Sequence, residues 1–224
     1  MRPMTLPGAI LFDMDGTLID SEGHWLAAEK AVMEWLDCDW TAADQSVCLG
    51  GPLERVVGYM IDKSGTQEDA VDVGEYLLDR VETLMRTSPL EWQPGARALL
   101  LDAREREIPT ALVSASWNRL IDAVSDKIEL DLGRVAFDVV VAGDDVEMSK
   151  PHPEPYLTAA EALAVHASAC LVLEDSPTGV ASGVAAGCRV VAIPQLATIS
   201  VDGAVVIDSL HGWTIEALWQ ATGA

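Results

Sequence analysis

Short apolar runs recur along this chain with helix-patterned segments between them, and that alternation constrains the fold more than any other feature. Ala9–Phe12, Thr110–Val113, Phe137–Val141, Ala169–Leu173, Arg189–Ile193 and Ala204–Ile207 are rich in Val, Ile and Ala, and charged or turn residues follow them. Runs that are apolar throughout, rather than at every second residue, suit strands buried on both faces. Between them, Ala96–Arg106, Asn118–Lys127, Pro155–Leu163, Thr178–Ala186 and Thr214–Thr222 carry helical patterns. Such alternation predicts an α/β fold, a Rossmann-like parallel sheet with helices on both faces.

From about Ser21 to Arg86 the alternation stops, and helices follow one another without a strand. Trp25, Ala28, Val32 and Trp35 fall at helical spacing. Pro52 opens a second helix, carrying Val56, Met60 and Ile61, that stops near Gly65. Thr66 and Asp69 read as a capping box for a third, with Val73, Leu77, Val81 and Leu84 on one face. The expected organisation is a core of residues 1–19 and 89–224, with an all-α domain of residues 20–88 inserted after the first strand.

The decisive polar feature is Asp13-Met14-Asp15-Gly16-Thr17-Leu18, directly after the first apolar run. In a parallel α/β sheet, ligands bind beyond the C-terminal ends of the strands. Two carboxylates two residues apart in extended chain point the same way, and crowding drives one to take a proton or a cation. Taken alone, the segment also reads as a solvated acidic turn. Other strand ends add to it. Thr110–Val113 leads into Ser114-Ala115-Ser116, Phe137–Val141 leads towards Lys150-Pro151, and Ala169–Leu173 into Glu174-Asp175. Alone, Ser114 reads as a strand-end cap, Lys150 as a surface lysine, and Asp175 or Ser176 as a helix N-cap. Together they offer a nucleophile, oxyanion binders and a divalent-cation site, the parts of metal-assisted phosphoryl transfer.

These elements, in this order, resemble the haloacid dehalogenase (HAD) superfamily. The helical insertion resembles the cap of its β-phosphoglucomutase-like and phosphatase subgroup. The resemblance implies that Asp13 is the nucleophile and a metal ligand. It implies that Asp15 is the general acid/base and a ligand through its carbonyl, and that Asp175 ligates Mg²⁺ with Glu174 as a ligand or a partner behind it. Ser114 and Lys150 would bind the transferring phosphate, with backbone N–H groups of Met14, Asp15 and Ala115 around it. Hard oxygen ligands favour Mg²⁺ over zinc. For substrate contacts the cap positions are His24, Gly51 and Arg55, with Asn118 at the entrance, although a solvated helix face is the plainer reading of Arg55.

The expected activity is a Mg²⁺-dependent phosphatase of a small-metabolite phosphate monoester, such as a sugar phosphate, working through an aspartyl phosphate. The alternatives are a β-phosphoglucomutase-type mutase and a non-catalytic binding domain of the same fold. Mutases of the subgroup usually carry a histidine at the position aligned with Trp25, and His24 is one residue early. Asp15 speaks against haloacid dehalogenation, and Lys30 is the only lysine in the first cap helix that could serve a phosphonatase. The complete set of polar groups speaks against a mere binding domain.

Composition narrows the partners. With 36 acidic residues against 14 basic ones, the formal net charge is -22. Such a surface repels nucleic acid and anionic membranes, so the expected partner is a small phosphorylated metabolite, bound by a monomer or weak homodimer. An anionic substrate then needs a local positive device such as Lys150 or a metal. Cys38, Cys48, Cys170 and Cys188 show no C-x-x-C spacing and read as free thiols in a reducing cytosol. Residues 1–8 lack a signal-peptide pattern, and the expected location is cytoplasmic.

Overall fold

The computed structural model describes residues 6–48, 53–195 and 198–223. They divide into two units, one up to Asp20 and again from Leu90, the other from Ser21 to Pro89.

In the first unit, β1 (Ala9–Phe12) is followed, after the insertion, by α5 (Ala96–Glu105), β2 (Thr110–Val113), α6 (Asn118–Leu132), β3 (Val139–Val141), α7 (Glu154–Ala162), β4 (Cys170–Glu174), α8 (Pro177–Ala185), β5 (Arg189–Ala192), β6 (Ala204–Val206) and α9 (Ile215–Ala221). The strands form one parallel sheet in the order β3-β2-β1-β4-β5-β6. Residues of β1, β2 and β4 are buried throughout, which is why their sequences are apolar without alternation.

The chain steps from β1 to β2 to β3 in one direction and from β4 to β5 to β6 in the other. Right-handed crossovers therefore put α5 and α6 on one face and α7 and α8 on the opposite face. Leu11, Val113, Val172 and Val190 pack with Tyr156, Ala159 and Ala160 of α7 and Val180 of α8. Ile10, Phe12, Leu112 and Leu173 alternate with them and fill the other layer, where the Phe12 and Phe137 rings meet edge to face at 6.3 Å.

Five strand boundaries differ from the sequence expectation, two of them because β5 and β6 each stop one residue early, at Ala192 and Val206. Phe137 is a core residue outside the ladder, so β3 starts later. Ala169 belongs to a short 3₁₀ turn, and β4 runs one residue further, through Glu174. Helix α6 continues past Lys127 to Leu132 and ends where Gly133 adopts φ 67°.

The second unit is helical: α1 (Glu22–Trp35), α2 (Ala42–Cys48), α3 (Leu53–Ser64) and α4 (Ala70–Thr87). Helix α4 packs against α1 and α3, burying Ala28, Val32, Met60, Leu77 and Val81. The Thr66–Asp69 capping box does not form. Asp69 is itself the N-cap of α4, its carboxylate accepting from the Val71 N–H at 2.8 Å. Trp35, expected on the inner face, is exposed and lies on the Tyr76 ring at 4.9 Å. Helix α2 was not foreseen. Asp44 ties it to α3, accepting from Thr41, the Tyr59 hydroxyl and the Lys63 ammonium. Of the cysteines, Cys48, Cys170 and Cys188 are buried free thiols and Cys38 is half-buried.

Candidate active site

β1 and β4 are neighbours whose following connections leave in opposite directions, which makes the gap beyond their C-terminal ends the topological switch point of the sheet. Asp13 stands there, its N–H still donating to Leu173 O at 3.1 Å. Glu174, the last residue of β4, is fully buried beside it.

Lys150 joins these two strand ends from the loop before α7, next to a cis peptide to Pro151. Its Nζ donates to Asp13 Oδ1 at 2.8 Å, to the Val113 carbonyl at 2.9 Å and to Glu174 Oε1 at 2.6 Å. All three ammonium protons are thereby placed. Glu174 is held as completely. Its Oε1 also accepts from the Tyr156 hydroxyl at 2.7 Å, and its Oε2 accepts from the Ser176 N–H at 3.3 Å and hydroxyl at 3.1 Å. Ser176 is also the N-cap of α8. Gly179 leaves room for the Glu174 carboxylate, because a Cβ there would collide with it.

The Asp13–Leu18 segment folds back on itself. Leu18 and Ile19 both donate to the Met14 carbonyl, at 3.0 and 3.1 Å, and Gly16 donates to Ile19 O at 2.8 Å. Gly16 has φ 79°, and a Cβ would run into the Asp175 carboxylate. At the end of β2, Ser114 is buried and its Oγ accepts from the Ser116 N–H at 3.0 Å. The Ser116 hydroxyl in turn donates to Asp15 Oδ2 at 2.8 Å. No backbone hydrogen bond among the described residues uses the N–H of Met14 or Ala115, which leaves two main-chain donors for an anion.

The family model of haloacid dehalogenase-like hydrolases matches residues 10–193, from the first core strand to the turn after β5. The chain belongs to that family. Hexitol phosphatase A of Escherichia coli K12 is 32% identical over 183 residues, 82% of this chain and 81% of that protein. Protein CbbY of Rhodobacter capsulatus is 31% identical over 194 residues, 84% and 85% of the two chains. The crystal structure of CbbY from Rhodobacter sphaeroides in complex with phosphate superposes with a TM-score of 0.83 at 23% identity, over 95% of this chain and 99% of that one, a likeness of fold.

In this haloacid dehalogenase-like hydrolase, one carboxylate oxygen each from Asp13, Glu174 and Asp175 lies within 4.8 Å of the others. That spacing and hard-oxygen chemistry fit a divalent ion such as Mg²⁺. Electrostatics agree. Burial, then the Glu174 charge, push Asp13 up to about 7 even though Lys150 opposes them. Burial, then Asp13, Glu174 and Asp15, push Asp175 up to about 9. Burial alone would lower the Lys150 ammonium, but Asp13 and Glu174 reverse this and hold it above its ordinary value.

The remaining expected substrate residues are described within their own units. Asn118 opens α6, its side-chain amide donating to Asp144 at 3.2 Å and Asp145 at 2.8 Å. His24 and Arg55 belong to the helical unit. Arg55 is exposed and donates to the Cys48 carbonyl at 3.3 Å, and His24 Nδ1 is buried with no hydrogen-bond partner among the described residues. Gly51 lies outside the described residues. Ser116 and Tyr156 were not singled out by the sequence for these contacts. For Ser116 a signal existed, since hydroxyls two residues apart after a strand end face the same side. For Tyr156 none did, because a helix-borne aromatic reads as core.

Proposed function

We propose that this hydrolase is a Mg²⁺-dependent phosphatase that cleaves a small sugar-type phosphate monoester through an aspartyl phosphate on Asp13. The observation that carries the reading is that Lys150 lies within hydrogen-bonding distance of both Asp13 and Glu174, with Asp175 alongside, although these residues come from three distant segments of the chain.

In this reading Asp13 attacks phosphorus in line, and the bond to the substrate oxygen breaks as the bond to Asp13 forms. Asp15 gives its proton to the departing oxygen. It then takes a proton from the water that attacks the aspartyl phosphate, so inorganic phosphate leaves and Asp13 is restored. Lys150 keeps Asp13 from rotating and offsets negative charge where carboxylate and phosphate meet. The Ser114 hydroxyl and the N–H groups of Met14, Asp15 and Ala115 receive the phosphate oxygens. Held by Asp13, Asp175 and the Asp15 carbonyl, Mg²⁺ would supply the remaining charge neutralisation. Glu174, whose oxygens already accept from four donors, anchors Lys150 behind this set.

The helical insertion serves in this reading as the cap that selects the substrate, with His24, Gly51 and Arg55 as its contacts and Asn118 of the core at the entrance. The name of the E. coli relative places hexitol phosphates first among substrates to test. The enzyme works in the cytoplasm, where such phosphates are found. Among the described residues no helix is long and apolar enough to cross a membrane.

The test is phosphate release from a panel of hexose and hexitol phosphates with and without Mg²⁺. The reading predicts Mg²⁺-dependent turnover that Asp13→Asn abolishes. Wild type no faster than Asp13→Asn would sink it, and conversion of β-glucose 1-phosphate to glucose 6-phosphate without free phosphate would replace it by a mutase.

A further inference from the structure

Ser116 lies two residues beyond the buried Ser114, and its hydroxyl reaches Asp15, 101 positions away in the chain, at 2.8 Å. Its own placement is over-determined. The Ser116 N–H donates to Ser114 Oγ at 3.0 Å, and its carbonyl accepts from the Gly143 N–H at 2.9 Å. Gly143 comes so close to the Ala115 carbonyl that a Cβ would overlap it. The loop that carries the hydroxyl is thus clamped from the ends of β2 and β3 and does not depend on its own stiffness. A clamped donor aimed at one oxygen of a half-buried carboxyl does more than satisfy a polar atom, because it selects the rotation of that carboxyl.

We infer that Ser116 is a positioning residue for the acid–base step, holding Asp15 by Oδ2 in the orientation from which its carboxyl hands a proton to the leaving group. This rests on Asp15 being the general acid/base of the proposed reaction. The step is balanced. As the phosphorus–oxygen bond to the substrate breaks, the Asp15 proton passes to the departing oxygen, and Ser116 keeps its own proton throughout. Without the hydroxyl the carboxyl rotates, and the penalty falls on substrates whose leaving oxygen needs that proton. An alkoxide needs it, whereas a nitrophenolate, already stable as an anion, needs it little.

The experiment compares kcat/KM for p-nitrophenyl phosphate and for a hexitol phosphate in wild type, Ser116→Ala, Ser116→Thr and Asp15→Asn. This parameter reports on the steps up to phosphoryl transfer to Asp13, and the ratio of the two substrates does not depend on how much of a variant is folded. Ser116→Ala is expected to lose about tenfold on the hexitol phosphate and less than about twofold on the nitrophenyl ester, with Ser116→Thr restoring most of the loss. Asp15→Asn should show the same selectivity more steeply, about 10²–10⁴-fold on the hexitol phosphate. Equal losses on both substrates for Ser116→Ala, or none on either, would overturn the positioning role. Absence of selectivity in Asp15→Asn would instead overturn the acid–base assignment on which it rests.

Discussion

The Tyr156 hydroxyl donates to Glu174 Oε1 across 2.7 Å at a place where neither residue reaches solvent. The same ring lies 5.1 Å from the Lys150 ammonium, so one side chain steadies both members of a buried ion pair. Tyr156→Phe keeps the ring and removes only the donor, leaving a charged acceptor one bond short. The expected cost is about 1–3 kcal/mol in urea-induced unfolding, with a several-fold fall in kcat as Lys150 loses its fixed partner. An unchanged midpoint would show that Glu174 does not need this bond.

Lys150 is the cation that lets Asp13 and Glu174 lie side by side, and its side chain is 4% exposed. Lys150→Met leaves two carboxylates buried without it. Removing one partner of such a group typically costs about 3–5 kcal/mol. The variant should therefore be markedly less stable in denaturant and should release no phosphate at any Mg²⁺ concentration.

Gly179→Ala tests the packing behind the site. The added methyl would meet the Glu174 carboxylate in the first turn of α8. Overpacking of this kind costs about 1–3 kcal/mol, and here it should also displace Glu174 from Lys150. Both a lowered thermal midpoint and a lowered kcat are expected, and a variant with wild-type values in both would contradict the contact.

The raised carboxyl groups give stability a pH dependence with a definite sign. In the metal-free protein Asp13 and Asp175 hold protons more tightly than they do in the unfolded chain. Their contribution is full below the ordinary carboxylate range. It declines as pH rises above that range and is gone once pH has passed about 7 for Asp13 and about 9 for Asp175. A divalent ion bound there would replace those protons, so its binding should strengthen over the same window with proton release. The thermal shift given by Mg²⁺ should be small at ~pH 5 and largest at ~pH 8–9. A shift that shrinks as pH rises would contradict the assignment of these carboxylates to the ion.

Much of this architecture is legible in the residues because burial on both faces writes itself as an unbroken apolar run. β1 and β2 begin and end where such runs do. β4 shows the limit, since its last residue is Glu174, a carboxylate whose burial depends on Lys150 and Tyr156, neither near it in sequence. Phe137 shows the converse, a residue whose hydrophobicity reports burial and not strand pairing. Helix α2 carries no apolar stripe and is held by Asp44 instead. Asp13, Lys150 and Asp175 could be named because each follows a recognisable strand end in a recognisable order. The spacing of Ser116 from Ser114 carried a signal, but the bond of Tyr156 could not be read, because a hydroxyl acquires its meaning from the partner the fold brings to it.

The most direct measurement is mass spectrometry of the enzyme quenched in acid during turnover, with the modified peptide sequenced. The account predicts a phosphoryl group on Asp13 that appears with substrate, decays as substrate is exhausted and is absent from Asp13→Asn. Steady phosphate release with no adduct on Asp13, or with Asp13→Asn still active, would contradict it.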